Sequence, residues 1–129
     1  MLDTARITAI VPVSDLDRAL EFYADALGLG VTVRRDDLPD HREAELGGAD
    51  GNLLLYESVG AGQSRSTVAA FRVDDLATVV ATLRERGVVF EEYDSPGLKT
   101  VDGIATVGDV QAAWCKDPDG NILAVESVP

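Results

Sequence analysis

The side chains able to do chemistry in this sequence are few and far apart, and that separation limits what chemistry they can do. Cys115 is the only cysteine and His41 the only histidine. A single cysteine rules out an intramolecular disulfide and a zinc site of the Cys-based kind. His41 follows the acidic stretch Asp36-Asp37-Leu38-Pro39-Asp40, where a lone histidine is either a surface residue or an acid or base. Trp114, the only tryptophan, offers a flat apolar face and one N–H donor to an aromatic or cationic ligand, and it equally suits packing between a helix and a sheet. Glu57 and Glu126 are a carboxylate pair that can hold a hard cation with water or stand in solvent at strand ends. No serine, histidine and carboxylate spacing suggests a hydrolase triad, and no Gly-rich strand-to-helix loop suggests a nucleotide site.

Glu57 and Glu126 close two copies of one segment. Residues 50–58 read DGNLLLYES and residues 119–127 read DGNILAVES, with six of nine positions identical. Upstream, Val13-Ser14-Asp15-Leu16 matches Val73-Asp74-Asp75-Leu76, 60 residues on. The chain is a duplication.

The elements of each copy follow from pattern. In the first, β-branched Ile7 to Val13 predicts a strand, and Ser14 with Asp17 three residues later resembles a capping box. Leu16, Ala19, Leu20, Tyr23 and Leu27 then fall on one helical face, and Gly28 ends the helix. Strands are expected over Val31–Arg35, Arg42–Leu46 and Asn52–Ser58, with a loop from Asp36 to His41 and a Gly47-Gly48 turn. The second copy predicts a strand over Thr67–Val73, then a helix burying Leu76, Val79, Val80 and Leu83 and ended by Gly87. Strands over Val88–Tyr93, Val110–Lys116 and Asn121–Val128 follow. Asp117-Pro118-Asp119-Gly120 is a hairpin turn, because the remaining ligands of a calcium loop are missing. Between Asp94 and Asp109 lies a long Gly-rich connection carrying Lys99, expected to be a loop over the site or a surface excursion.

Composition narrows the partners. The 129 residues, 46% hydrophobic, suffice for one core, so a single domain over 1–129 is expected, with unit one at about 5–58 and unit two at about 67–128. Lys+Arg number 11 against 23 Asp+Glu, a formal charge of -12 that opposes binding to nucleic acid. The acidic pairs are scattered, as on a solvated surface. No apolar run approaches the roughly 20 residues that cross a bilayer, and no apolar leader precedes Asp3 and Arg6, so no membrane partner and a cytoplasmic location are expected.

A β-α-β-β-β unit occurring twice, with strand-VSDL-helix-FYADALGL in the first half and DPDGNIL closing the second, resembles the vicinal oxygen chelate superfamily. That group includes glyoxalase I, extradiol dioxygenases, fosfomycin-resistance transferases and bleomycin-resistance proteins. The resemblance implies an α+β fold in which the two tandem units form one eight-stranded, cup-like sheet. It also implies a homodimer, since relatives commonly pair. In metal-dependent relatives, ligands project into the cup from the first and last strands of each unit. Those positions correspond here to Thr8, Val68, Leu55 and Ala124, none of which supplies imidazole or carboxylate. Glu57 and Glu126, two residues further along the last strands, then share the faces of Leu55 and Ala124 by alternation. Fosfomycin-resistance relatives carry a pocket tyrosine three residues before DPDG, which the resemblance places at Trp114. Ala112 shares the face of Trp114, and Cys115 points the other way, toward a helix.

These readings favour a binding protein with no metal and no cofactor. It would hold a partly aromatic or cationic small molecule among Trp114, Ala112, Thr8, Leu55, Glu57, Val68, Ala124 and Glu126. The alternative is a lyase, isomerase or dioxygenase of the same superfamily. It would use a displaced metal, or Glu57, Tyr93 or His41 as acid or base.

Overall fold

The run that opens each repeat forms a strand, and an aspartate two or three residues past its end caps a helix. In the computed structural model, which describes residues 1–129, these repeats fold as two compact units, Met1–Gln63 and Ser64–Pro129.

Unit one contains β1 (Thr8–Val13), α1 (Leu16–Leu20), β2 (Gly30–Leu38), β3 (His41–Gly47) and β4 (Asn52–Glu57). The N-cap of α1 is Asp15, whose Oδ1 accepts from Arg18 N–H at 3.2 Å. Ser14, the expected cap, instead accepts from Arg18 Nη2 at 2.8 Å. After Leu20 the helix widens into a π-helical turn over Glu21–Ala26, where Leu27 N–H reaches the Phe22 carbonyl at 2.9 Å. The strands lie in the order β1-β4-β3-β2, with β1 parallel to β4 and the other pairs antiparallel. Val11, Val13, Leu53, Leu55, Ala44 and Leu46 are buried on one face of this sheet, with Leu16, Ala19 and Tyr23 of the helical segment. The expected loop from Asp36 to His41 is mostly strand. β2 runs on to Leu38, and only Pro39 and Asp40 make the turn, with Asp40 at φ 54.

Unit two contains β5 (Thr67–Arg72), α2 (Leu76–Glu85), β6 (Asp94–Ser95), β7 (Leu98–Val101), β8 (Ile104–Val107), β9 (Val110–Lys116) and β10 (Ile122–Ser127). Asp75 caps α2 by accepting from Thr78 N–H at 3.2 Å and Thr78 Oγ1 at 2.7 Å. The strand order is β5-β10-β9-β8-β7-β6, with β5 parallel to β10. The core consists of Leu76, Val80, Leu83, Val88, Phe90, Ala113, Cys115, Leu123 and Val125.

Three further expectations are corrected here. Instead of one eight-stranded sheet, there is a four-stranded sheet and a six-stranded sheet. The segment from Asp94 to Asp109 is not a loop but a meander of three short strands. Its turns are Pro96-Gly97, Asp102-Gly103 and Gly108-Asp109, with φ of 82° at Gly97, 52° and 80° at Asp102 and Gly103, and 63° at Gly108. These dipeptides match the two-residue hairpin turns that need positive φ. The meander also displaces the strand expected over Val88–Tyr93. β8 pairs with the first half of β9, so Val88–Tyr93 is reduced to a bridge from Phe90 to Cys115 and a bond from Glu91 N–H to the Trp114 carbonyl at 2.8 Å.

Candidate functional site

Alternation along each strand sorts side chains between the helix-covered face of a sheet and its open face. In unit one the open face carries Thr8, Ile10 and Pro12 of β1, Leu54 and Tyr56 of β4, and His41, Glu43 and Glu45 of β3. Glu43 organises its charged edge. His41 Nε2 lies 2.6 Å from Glu43 Oε1, and Arg35 donates to Glu43 Oε2 at 2.8 Å and to Glu45 Oε2 at 3.2 Å. The bond from His41 and the Arg35 charge hold the Glu43 carboxyl below the usual range, against its partial burial. The His41 ring stands 6.3 Å from that of Tyr56.

Leu55 and Glu57 do not share this face. Leu55 is fully buried on the helix side, opposite Ala44. Glu57 turns toward the start of α1, where Oε2 accepts from Leu16 N–H at 2.9 Å and from Arg42 Nη2 at 2.7 Å, and Oε1 accepts from Arg42 Nε at 3.0 Å. Arg42 and the helical N–H hold the Glu57 carboxyl below its ordinary range. Glu57 is a structural clamp between β4, β3 and α1. That commitment removes it from a ligand site on the open face.

In unit two the open face carries Ala112 and Trp114 of β9 and Ile122, Ala124 and Glu126 of β10, because cross-strand partners share a face and Ala124 pairs with Trp114 and Glu126 with Ala112. Across β8, Ala105 pairs with Ala112, and across β5, Ala70 pairs with Ala124. Alanines thus flank the indole on this face, with Ala105 and Ala124 themselves buried. Tyr93 meets it edge-on. Burial and the charge of Glu91 push the Tyr93 phenol up from its usual range. Glu126 Oε1 accepts from Arg72 Nε at 3.0 Å, with Arg72 largely exposed. Val68 is the bulged residue of β5, skipped where Thr67 pairs with Ile122 and Ala69 with Leu123. Cys115 faces the helix side, and burial pushes its thiol up to about 11, so it remains protonated and unreactive.

The repeat therefore misleads about faces. Gly47 pairs with Asn52 across a four-residue loop, whereas Lys116 pairs with Ile122 across a five-residue loop that absorbs Asn121. Asp117 holds the extra residue. Its Oδ1 accepts from the N–H groups of Asp119 and Asn121, each at 2.9 Å, and its Oδ2 accepts from Asn121 Nδ2 at 2.8 Å, with Asn121 itself buried. One residue of slip inverts every side chain downstream. Leu55 and Glu57 consequently face their helix, while Ala124 and Glu126 face away from theirs.

The donor set does not fit a divalent catalytic metal. No group of three or more His, Cys, Asp or Glu side chains that could hold a metal ion converges in either unit. The contact of Tyr93 with Trp114 was not legible in the sequence, because it depends on the meander that holds Tyr93 through Thr100. The pairing of Glu43 with His41, at alternate positions of one strand, was legible as a same-face pair. No helix is long and apolar enough to cross a membrane.

Comparison with known proteins places this architecture. No curated protein is significantly similar to the chain. Among solved structures, TnmS3, described as an antibiotic binding protein from Streptomyces sp. CB03234, is 26% identical, with 100% of this chain and 99% of that one covered and a TM-score of 0.71. A glyoxalase/bleomycin resistance protein from the same Streptomyces is 27% identical, with coverage of 94% and 98% and a TM-score of 0.71. A superfamily member from Sphaerobacter thermophilus DSM 20745, at 22% identity, coverage of 99% and 100% and a TM-score of 0.72, shares the fold. The family model matches residues 5–125, and the chain belongs to the Glyoxalase/Bleomycin resistance protein/Dioxygenase superfamily.

Proposed function

We propose that the protein binds a partly aromatic or cationic small molecule against Trp114, with no metal taking part. The observation that carries this reading is the indole on an open sheet face, flanked by Ala112 and Ala124 and braced by Tyr93. A planar ligand stacks on such a surface, and a cationic one gains from the ring quadrupole and from Glu126 on the same face. The similarity to a protein described as antibiotic binding supports a ligand of the antibiotic class. The residues at the metal-ligand positions of relatives support a mechanism of sequestration by shape and stacking.

A thermal-shift screen of aromatic antibiotics, bleomycin and doxorubicin among them, tests this. A ligand specific for the folded state stabilises it by about 2.7 kcal/mol at 100 times its dissociation constant. The Trp114→Ala variant loses the shift; a hit that survives in Trp114→Ala refutes the placement. The reading extends to a homodimer, for which light scattering gives twice the chain mass of 13.7 kDa.

One observation favours a second reading, acid–base catalysis on the open face of unit one. Glu43 orients His41 at 2.6 Å, in the manner of a carboxylate that fixes the tautomer of a catalytic imidazole. A reaction of this kind loses its rate in His41→Gln and is indifferent to Trp114→Ala.

A further inference from the structure

Unit two also has an opening away from the Trp114 face. It is a groove of about 580 Å³ on the opposite side of the same sheet, between α2 and the outer strands β7 to β9. Its origin is the meander. α2 covers the sheet at β9 and β10, so β7 and β8 extend past the helix and leave their helix-side face open. Val80, Ala81, Val101 and Ile104 give the groove an apolar lining, and Val101 is 65% exposed despite its size.

Two cations line the same groove, Arg84 from α2 and Lys99 from β7. Neither makes an ion pair, although the chain carries 23 acidic residues against 11 basic ones. Arg84 is held in place. Its Nη2 donates to the Asp102 carbonyl at 2.7 Å, and its guanidinium lies 5.7 Å from the centroid of the Phe90 ring. A guanidinium has five N–H donors in a fixed fork, so most of them remain for an external acceptor. Thr106 and Gln111 add neutral polar groups along the floor, Asp102 lines the groove as its one acidic residue, and Asp94 is the cross-strand partner of Lys99.

We infer that this groove is a second small-molecule site, for an organic anion that joins a carboxylate or sulfonate to an apolar body. The anion is the part recognised by Arg84 and Lys99, by charge-assisted hydrogen bonds in a fork geometry. The apolar body covers Val101 and Ile104, which otherwise stay in water. The volume suits a ligand of drug size. This site is independent of the reading given to the Trp114 face.

Fluorescence titration of the intact chain with anilinonaphthalene sulfonate tests the assignment, with phenylnaphthylamine as the same ring system lacking the anion. The sulfonate saturates one site and binds at least about tenfold more tightly than the neutral compound, and Arg84→Gln/Lys99→Gln weakens it at least about tenfold. A second variant, Ala81→Leu, keeps both cations and fills the groove from an exposed helix position, and it too weakens the sulfonate. Equal affinity for the neutral compound, or unchanged affinity in both variants, overturns the proposal. So does displacement of the sulfonate by a planar aromatic cation that quenches Trp114, which would put the probe on the other face.

Discussion

The ring of Tyr93 meets that of Trp114 edge-on, with centroids 5.6 Å apart and planes at 81°. Such pairs contribute about 0.5 to 1.5 kcal/mol beyond their buried area. A double-mutant cycle with Tyr93→Leu and Trp114→Leu, read by urea denaturation, therefore gives a coupling in that range. A coupling near zero would mean that Tyr93 does not brace the indole.

Glu57 gives the fold an acid sensitivity. Its carboxyl is depressed in the folded state by Arg42 and by Leu16 N–H. A depressed group stabilises the fold above its unfolded value, near 4.5, and that contribution is lost as pH falls through the folded value. The Glu57→Gln variant consequently melts roughly 2 to 5 °C lower at pH 7, with part of the gap limited by solvent screening of the pair. Melting curves of the two proteins converge as the pH is lowered from 5 toward 3, and a gap that widens would contradict the assignment.

The loop that sets the phase of β10 rests on Asp117. Replacing it by alanine leaves the buried Asn121 amide and two backbone N–H groups without their acceptor, at a cost of about 2 to 4 kcal/mol. Chemical denaturation measures the loss. Hydrogen exchange then shows the Asp119 and Asn121 amides losing protection first.

Gly103 and Gly97 both sit at positive φ, 80° and 82°, yet they differ in surroundings. A Cβ at Gly103 would lie 2.7 Å from Arg84 Nη2 and 3.1 Å from Phe90 Cβ, whereas at Gly97 it meets nothing within 4 Å. Gly103→Ala is thus more destabilising than Gly97→Ala, by about 1 kcal/mol over the shared backbone strain of about 1 to 2 kcal/mol. It also moves Arg84. Equal losses would show that the turn does not press on that side chain.

The duplication, both helices and most strands were legible because hydrophobic period and start signals agree there, as at Asp15 and Asp75, each a helix N-cap. The meander was legible in principle. Pro96-Gly97 and Asp102-Gly103 are hairpin dipeptides, but the short strands between them carry too few apolar residues for alternation to register. What sequence could not yield was the phase of the last strand of each unit. Asn52 and Asn121 occupy the same place in identical DGN triplets, yet Asn52 pairs within a strand and Asn121 is buried in a loop held by Asp117. A hydrogen bond to a residue before the turn decides that difference, which leaves Leu55 and Glu57 toward their helix and Trp114 with Ala124 on the face away from theirs.

Trp114 is the only tryptophan, so the emission of the chain reports directly on the face at issue. Titration of an aromatic antibiotic identified by thermal shift, with and without a strong chelator, is the decisive measurement. The account predicts saturable quenching of Trp114 with the same dissociation constant in both conditions. Binding that leaves the emission unchanged, or that disappears when a copurified metal is stripped, would contradict it.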